Sequence, residues 1–190
     1  YLYSVEGKKV EKEKVEGKEC FLIPNQKTAE EIEGKIKKAK YTISKVEKKE
    51  KKRNPVAPFI TSTLQQEASR HFGFSAQRTM GIAQSLYEGV DLGGGSYEGL
   101  ITYMRTDSVR IVPEAQKEAQ AFIRKEYGKE YLPPKPPVYS TKKAAQDAHE
   151  AIRPSSVKYT PSEIKNRLSI DQFKIYDLIW KRLVASQMNP

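Results

Sequence analysis

The chain is predicted to be α+β and mainly α. A β-rich portion comes first, then a helical domain with helix-turn-helix-like elements and a short strand carrying a tyrosine. Three observations predict this. Up to residue 23, aromatic and β-branched residues are punctuated by Gly7 and Gly17, as in short strands. Beyond Pro58 the apolar residues recur at helical spacing. Between them in character is Gly99-Leu-Ile-Thr-Tyr-Met-Arg-Thr-Asp-Ser108, a run that reads as extended backbone.

Taken in order, residues 1–23 read as two strands around a turn at Glu6-Gly7-Lys8. Thr28-Ala-Glu-Glu31 fits a capping box, followed by a short helix with Ile32, Ile36 and Ala39 on one face. Tyr41–Val46 returns to strand. Asn54-Pro-Val-Ala-Pro58 is stiff and is the best candidate boundary, dividing 1–57 from the rest. Thr63–His71 reads as a helix stopped near Gly73. Ser75 opens another helix that carries Ala76, Met80, Ala83, Leu86 and Tyr87 to Gly89. The pair, joined at Phe72-Gly-Phe74, resembles a helix-turn-helix and is equally readable as two packed helices. Val90–Gly99 is glycine-rich without P-loop or GxGxxG spacing, and reads as a flexible insertion. Pro113 suits the first turn of a helix running to Tyr127 and ending at Gly128. Leu132-Pro-Pro-Lys-Pro-Pro137 is an extended connection. Thr160-Pro-Ser-Glu163 is another capping box, and Ser169-Ile-Asp-Gln172 opens the last long helix. Phe173, Tyr176, Ile179, Trp180 and Leu183 lie at helical spacing there, which favours core over base stacking.

Composition narrows the class. The 190 residues carry 34 basic and 24 acidic side chains, a net charge of +10 that suits a polyanionic partner. The excess is spread, +6 over residues 1–56 and +4 over 57–190, so it marks no groove. The lysines around Lys48–Arg53 alternate with glutamates and read as a solvated strand edge. One cysteine, Cys20, excludes an internal disulfide and a cysteine-rich zinc cluster, and reads as a small buried hydrophobe. No apolar run approaches the roughly 20 residues of a membrane helix and no signal-peptide pattern is present, so a soluble, cytoplasmic protein is expected. The abrupt start and the end at Met188-Asn-Pro190 suggest a piece of a larger protein.

Two places carry chemistry. In a strand, positions i and i+2 share a side, so Tyr103 and Arg105 can face one target. A phenol has an ordinary pKa of about 10 and needs a nearby cation to act as a nucleophile. A guanidinium supplies the cation and a rigid fork for phosphate oxygens. Spacing alone also permits a plain sheet face. Downstream, a helical reading of Ala148-His-Glu-Ala-Ile-Arg153 puts His149 and Arg153 at i and i+4, where both could donate to one phosphate. His149-Glu150 lacks the second histidine of a zinc protease, and a lone histidine is also readable as structural. His71 is read as structural. Asp107 and Glu150 could tune neighbouring groups, and Asp107 could equally cap the turn.

Leu100-Ile-Thr-Tyr-Met-Arg-Thr-Asp-Ser108 resembles the active-site segment of the bacterial type IA DNA topoisomerases. Pro58-Phe-Ile-Thr-Ser-Thr-Leu-Gln-Gln66 and Ala148-His-Glu-Ala-Ile-Arg-Pro-Ser155 resemble that family too, in the family's order. Ala83–Gly89 and Leu178–Met188 add to the resemblance, which runs from about residue 41 to 190. It implies a catalytic Tyr103, Arg105 and His149, with Arg105, His149 and Arg153 binding DNA. It implies a single-stranded DNA partner and cleavage through a 5′-phosphotyrosine, relaxing negative supercoils at the bacterial nucleoid. The chain would be the ring enzyme's gate: part of the hinge domain (1–57), the tyrosine-bearing domain (58–183) and a return segment (184–190). The family's Mg²⁺ belongs to a Toprim domain with D-x-D spacing, and no D-x-D occurs here. No metal ligand is therefore expected in this chain, and the missing Toprim and DNA-binding domains are expected partners. The alternative is a non-catalytic helix-turn-helix DNA-binding module in which Tyr103 only packs. A recombinase-like or type IB enzyme is disfavoured, because His149-x-x-x-Arg153 is not their H-x-x-R.

Overall fold

The computed structural model describes residues 23, 25–41, 43, 45–93, 95–139 and 149–190, and the backbone of short strands before residue 21. They divide into two compact units, residues 1–50 and 51–190.

In the first unit, β1 (Ser4–Val5) pairs antiparallel with β2 (Lys8–Lys9), and β3 (Glu13–Val15) with β4 (Lys18–Cys20). The expected two strands are thus four very short ones. The reading of Cys20 as buried falls outside the described side chains. Helix α1 (Gln26–Lys38) starts ahead of the expected capping box. Asn25 is the cap, its Oδ1 accepting from the Thr28 amide at 2.9 Å and the Thr28 hydroxyl at 3.0 Å. Ile32 and Ile36 are half-buried. No strand follows among the described residues of 41–46. The Tyr41 hydroxyl instead donates back to the Ile36 carbonyl at 2.5 Å. Residues 45–53 are likewise exposed without strand pairing, so the lysine run guards no sheet edge.

The second unit is helical. Helix α2 (Thr61–Phe72) ends at Gly73, whose φ of +68° is the left-handed turn that glycine adopts without strain. Helix α3 (Ala76–Glu88) follows, capped by Ser75 Oγ on the Arg78 amide at 3.2 Å. The glycine-rich run beyond it is a hairpin rather than a loose insertion: β5 (Val90–Asp91) pairs with β6 (Tyr97–Glu98). Asp91 Oδ1 holds the turn by accepting from the Gly93 amide at 2.7 Å. Helix α4 (Pro113–Glu126) buries Ala115, Ala119 and Ile123, a clean i, i+4 stripe. A short α5 (Pro161–Ile164) and the long α6 (Ile170–Ser186) complete the helices, each opened by the expected capping box.

The core joins α2, α3, α4 and α6 through Leu64, Leu86, Ile123, Ile175, Ile179 and Leu183, all fully buried. Each such side chain contributes about 1.5–3 kcal/mol by leaving water. On α6, Tyr176 and Trp180 are core as read from their spacing. Each also finds a polar partner, Tyr176 Oη donating to the Tyr159 carbonyl at 2.6 Å and Trp180 Nε1 to the Val157 carbonyl at 3.1 Å. Phe173 is an edge residue instead, half-buried beside the Lys165 ammonium. At the end of the chain the Asn189 side chain donates to the carbonyls of Glu130 and Leu132, at 2.7 and 3.0 Å.

Candidate active site

Three extended runs, residues 57–60, 99–110 and 150–155, meet on this helical frame. Phe59, Leu100, Ile101, Met104 and Ile152 anchor them in the core. Only isolated bridges form among them, Phe59 with Ile152 and Ile101 with Pro154. Pro154 has no N–H to continue a ladder, and threonine hydroxyls take its place. Thr102 Oγ1 donates to the Ala151 carbonyl at 2.7 Å and accepts from the Arg153 amide at 3.0 Å. Thr61 Oγ1 reaches the Met104 carbonyl at 2.8 Å and accepts from the Thr106 amide at 2.9 Å. The Thr61 amide in turn donates to the Thr106 carbonyl at 2.9 Å. Arg105 is thus gripped by the peptide groups on both sides of it.

The approach of α3 also shapes the run. The Leu100 amide donates to the Leu86 carbonyl at 2.8 Å, and a Cβ at Gly99 would lie 2.8 Å from the Tyr87 carbonyl oxygen. Only glycine fits there.

The extended run keeps the alternation of a strand without its ladder. Met104, Thr106 and Ser108 point inward, while Tyr103, Arg105 and Asp107 point out. Tyr103 is 43% exposed and its ring meets Tyr87 edge-on, centroids 5.4 Å apart. Arg105 and His149 are exposed and have no hydrogen-bond or ion-pair partner among the described residues. Both line an open pocket of about 380 Å³ with Ser62, Gln65 and Asp107. Asp107 does not cap the turn. The Thr106 hydroxyl does, accepting from the Ser108 amide at 3.0 Å.

Arg153 behaves otherwise. The run 149–153 is extended rather than helical, because its amides go to other segments: Ala151 to the Arg110 carbonyl and Ile152 to that of Phe59, both at 2.8 Å. His149 and Arg153 therefore do not share a helix face. Arg153 is 9% exposed, its Nε 2.7 Å from Glu150 Oε2, and Nη1 donates to the Pro154 carbonyl at 3.0 Å. It holds the frame and does not face the pocket. His71 stands on α2, 3.1 Å from Glu67.

Sequence reasoning missed Thr61, Thr102, Ser62 and Gln65. The first, third and fourth lie inside the Pro58–Gln66 run, whose polar residues opening a helix were the available signal. Among the described residues no three His, Cys, Asp or Glu side chains converge. No helix among them is long and apolar enough to cross a membrane.

A family model described as DNA topoisomerase matches residues 2–190. The chain belongs to the DNA topoisomerase family. It is 52% identical to DNA topoisomerase 1 of Rickettsia bellii over 171 residues, 90% of this chain and 21% of that protein. It is 48% identical to DNA topoisomerase 1 of Xylella fastidiosa, with all of this chain and 23% of the relative covered. Full-length topoisomerase I from Thermotoga maritima has a similar fold, with a TM-score of 0.64 at 48% identity over 74% of this chain and 22% of that one. The chain therefore spans about a fifth of the length of these topoisomerases. They support the α+β, mainly helical fold class and the resemblance to bacterial DNA topoisomerase I.

Proposed function

We propose that this chain is the gate portion of a type IA DNA topoisomerase and that Tyr103 is its nucleophile. The observation that carries the reading is the exposed Tyr103–Arg105–Asp107 edge, held rigid by Thr61, with Arg105 and His149 converging unpaired on one pocket. Tyr103 Oη attacks a backbone phosphorus of single-stranded DNA. A Tyr–O–P bond forms, the P–O3′ bond breaks, and the phenolic proton ends on the departing 3′-oxygen. Arg105 donates to the phosphate oxygens as charge builds on them, and His149 adds a second donor. The phosphotyrosine keeps the bond energy, so religation is the same step reversed. Passage of a strand between the two steps relaxes negative supercoils.

Mg²⁺ would be held by a domain outside this chain, and the partners would be the Toprim and DNA-binding domains of the same protein. The setting is the bacterial cytoplasm, at the nucleoid. The fragment alone should bind single-stranded DNA weakly and should not relax plasmid. The non-catalytic helix-turn-helix reading gains little support, since Arg78, the cation on α3, is bound to Asp171 at 2.6 Å.

The test places residues 1–190 in the matching segment of the Thermotoga maritima enzyme and changes Tyr103→Phe. Loss of cleavage and of covalent adducts, with folding retained, is expected. Unchanged cleavage would eliminate the reading.

A further inference from the structure

A second concave surface lies away from Tyr103. Helix α4, the turn into α5 and helix α6 enclose an open groove of about 870 Å³, and no residue lining it lines the Arg105–His149 pocket. Its size falls in the roughly 300–1,000 Å³ range of ligand clefts.

Its walls offer two kinds of group. Tyr127, Phe122 and Phe173 present ring surface, with Phe122 edge-on to Trp180 at 5.3 Å. Lysines stand among them. The groove's carboxylates already have partners: Asp177 meets Lys181 at 2.8 Å, Glu126 meets Lys125 at 3.0 Å, and Glu163 accepts from the Thr160 hydroxyl at 2.7 Å. Lys158 and Lys165 have no carboxylate partner among the described residues, and the Lys165 ammonium lies 5.5 Å from the Phe173 ring centroid.

We propose that this groove binds single-stranded DNA, with bases stacked on Tyr127 and Phe173 and phosphates neutralised by Lys158 and Lys165. Interleaved rings and cations are the chemistry of sequence-tolerant strand binding, since every base has a π-face and every linkage a charge. An acidic peptide would use the lysines but leave the rings idle. The site does not depend on Tyr103 being a nucleophile.

The chain's single tryptophan, Trp180, lines this groove and supplies the readout. Titrating the 190-residue chain with oligo-dT is expected to quench its fluorescence. Exchanging Lys158→Glu and Lys165→Glu together should weaken binding about tenfold or more. It should also lower the slope of log affinity against log salt by about 1.4, two phosphate contacts' worth. Tyr127→Ala should weaken binding about fivefold or more by removing one stacking surface. A Tyr103→Phe chain should keep the quenching, so the two proposals fail separately. With circular dichroism confirming the fold, unchanged affinity in the lysine double variant would overturn the site. Loss on Arg105→Ala alone, or equal quenching by poly-glutamate, would overturn it too.

Discussion

The runs 103–108 and 149–155 lie side by side, both extended and both carrying an arginine, yet they use their cations in opposite ways. Arg105 is exposed and unpaired on the pocket, whereas Arg153 is nine-tenths buried against Glu150 and the Pro154 carbonyl. The difference lies in the backbone accounting. In the first run, Thr61 from α2 satisfies the peptides on both sides of Arg105, so its outward side chains stay free. In the second, the chain turns inward around Pro154 and Arg153 is taken up satisfying carbonyls. A cation that closes a frame is not available for a phosphate. One that the frame leaves unpaired is.

The comparison can be broken from either side. Arg105→Ala in the chimeric enzyme should lower cleavage by about 10²–10³-fold, the usual cost of one positioned donor. Urea midpoints should stay nearly unchanged. Arg153→Ala should do the reverse, costing about 3 kcal/mol of stability by stranding the partly buried Glu150. Cleavage should follow the folded fraction. If Arg153→Ala abolished cleavage in a fully folded protein, the division of roles would be wrong. Thr61→Val keeps shape but removes the hydroxyl between the Met104 carbonyl and Thr106 amide. A loss of about 1–3 kcal/mol is expected, read by denaturant unfolding, together with slower cleavage at unchanged DNA affinity.

The smallest effect expected is one of pH. Burial pushes the Tyr176 phenol well above its ordinary pKa of 10.0. The unfolded chain loses that proton first. The stabilisation is therefore complete below pH 10 and is lost as pH rises through the folded value. Tyr176→Phe should flatten the alkaline limb of a stability–pH curve, and an unaltered limb would point to other groups.

Much of the helical frame was legible because caps and apolar spacing are local signals. Ser75, Thr160 and Ser169 each open the helix expected of them. The misreadings came from tertiary bonds. Residues 148–153 have the composition of a helix turn, but the amides of Ala151, Ile152 and Arg153 are taken by Arg110, Phe59 and Thr102, 41 to 93 positions away in sequence. The glycine-rich run was read as loose because nothing in its spacing announced the β5–β6 pairing. At the candidate site, Tyr103, Arg105 and His149 were singled out from sequence because they stand in distinctive runs, and the structure leaves all three side chains exposed. Thr61 was not, because its role exists only once α2 sits against residues 104–106.

The most direct test maps the covalent bond itself. The chimeric enzyme is trapped on labelled single-stranded DNA, digested with nuclease and protease, and sequenced by mass spectrometry. A 5′-linked nucleotide on the Tyr103 hydroxyl is the expected result. A nucleotide on Tyr87, the ring packed against it, or on any other residue would contradict the account.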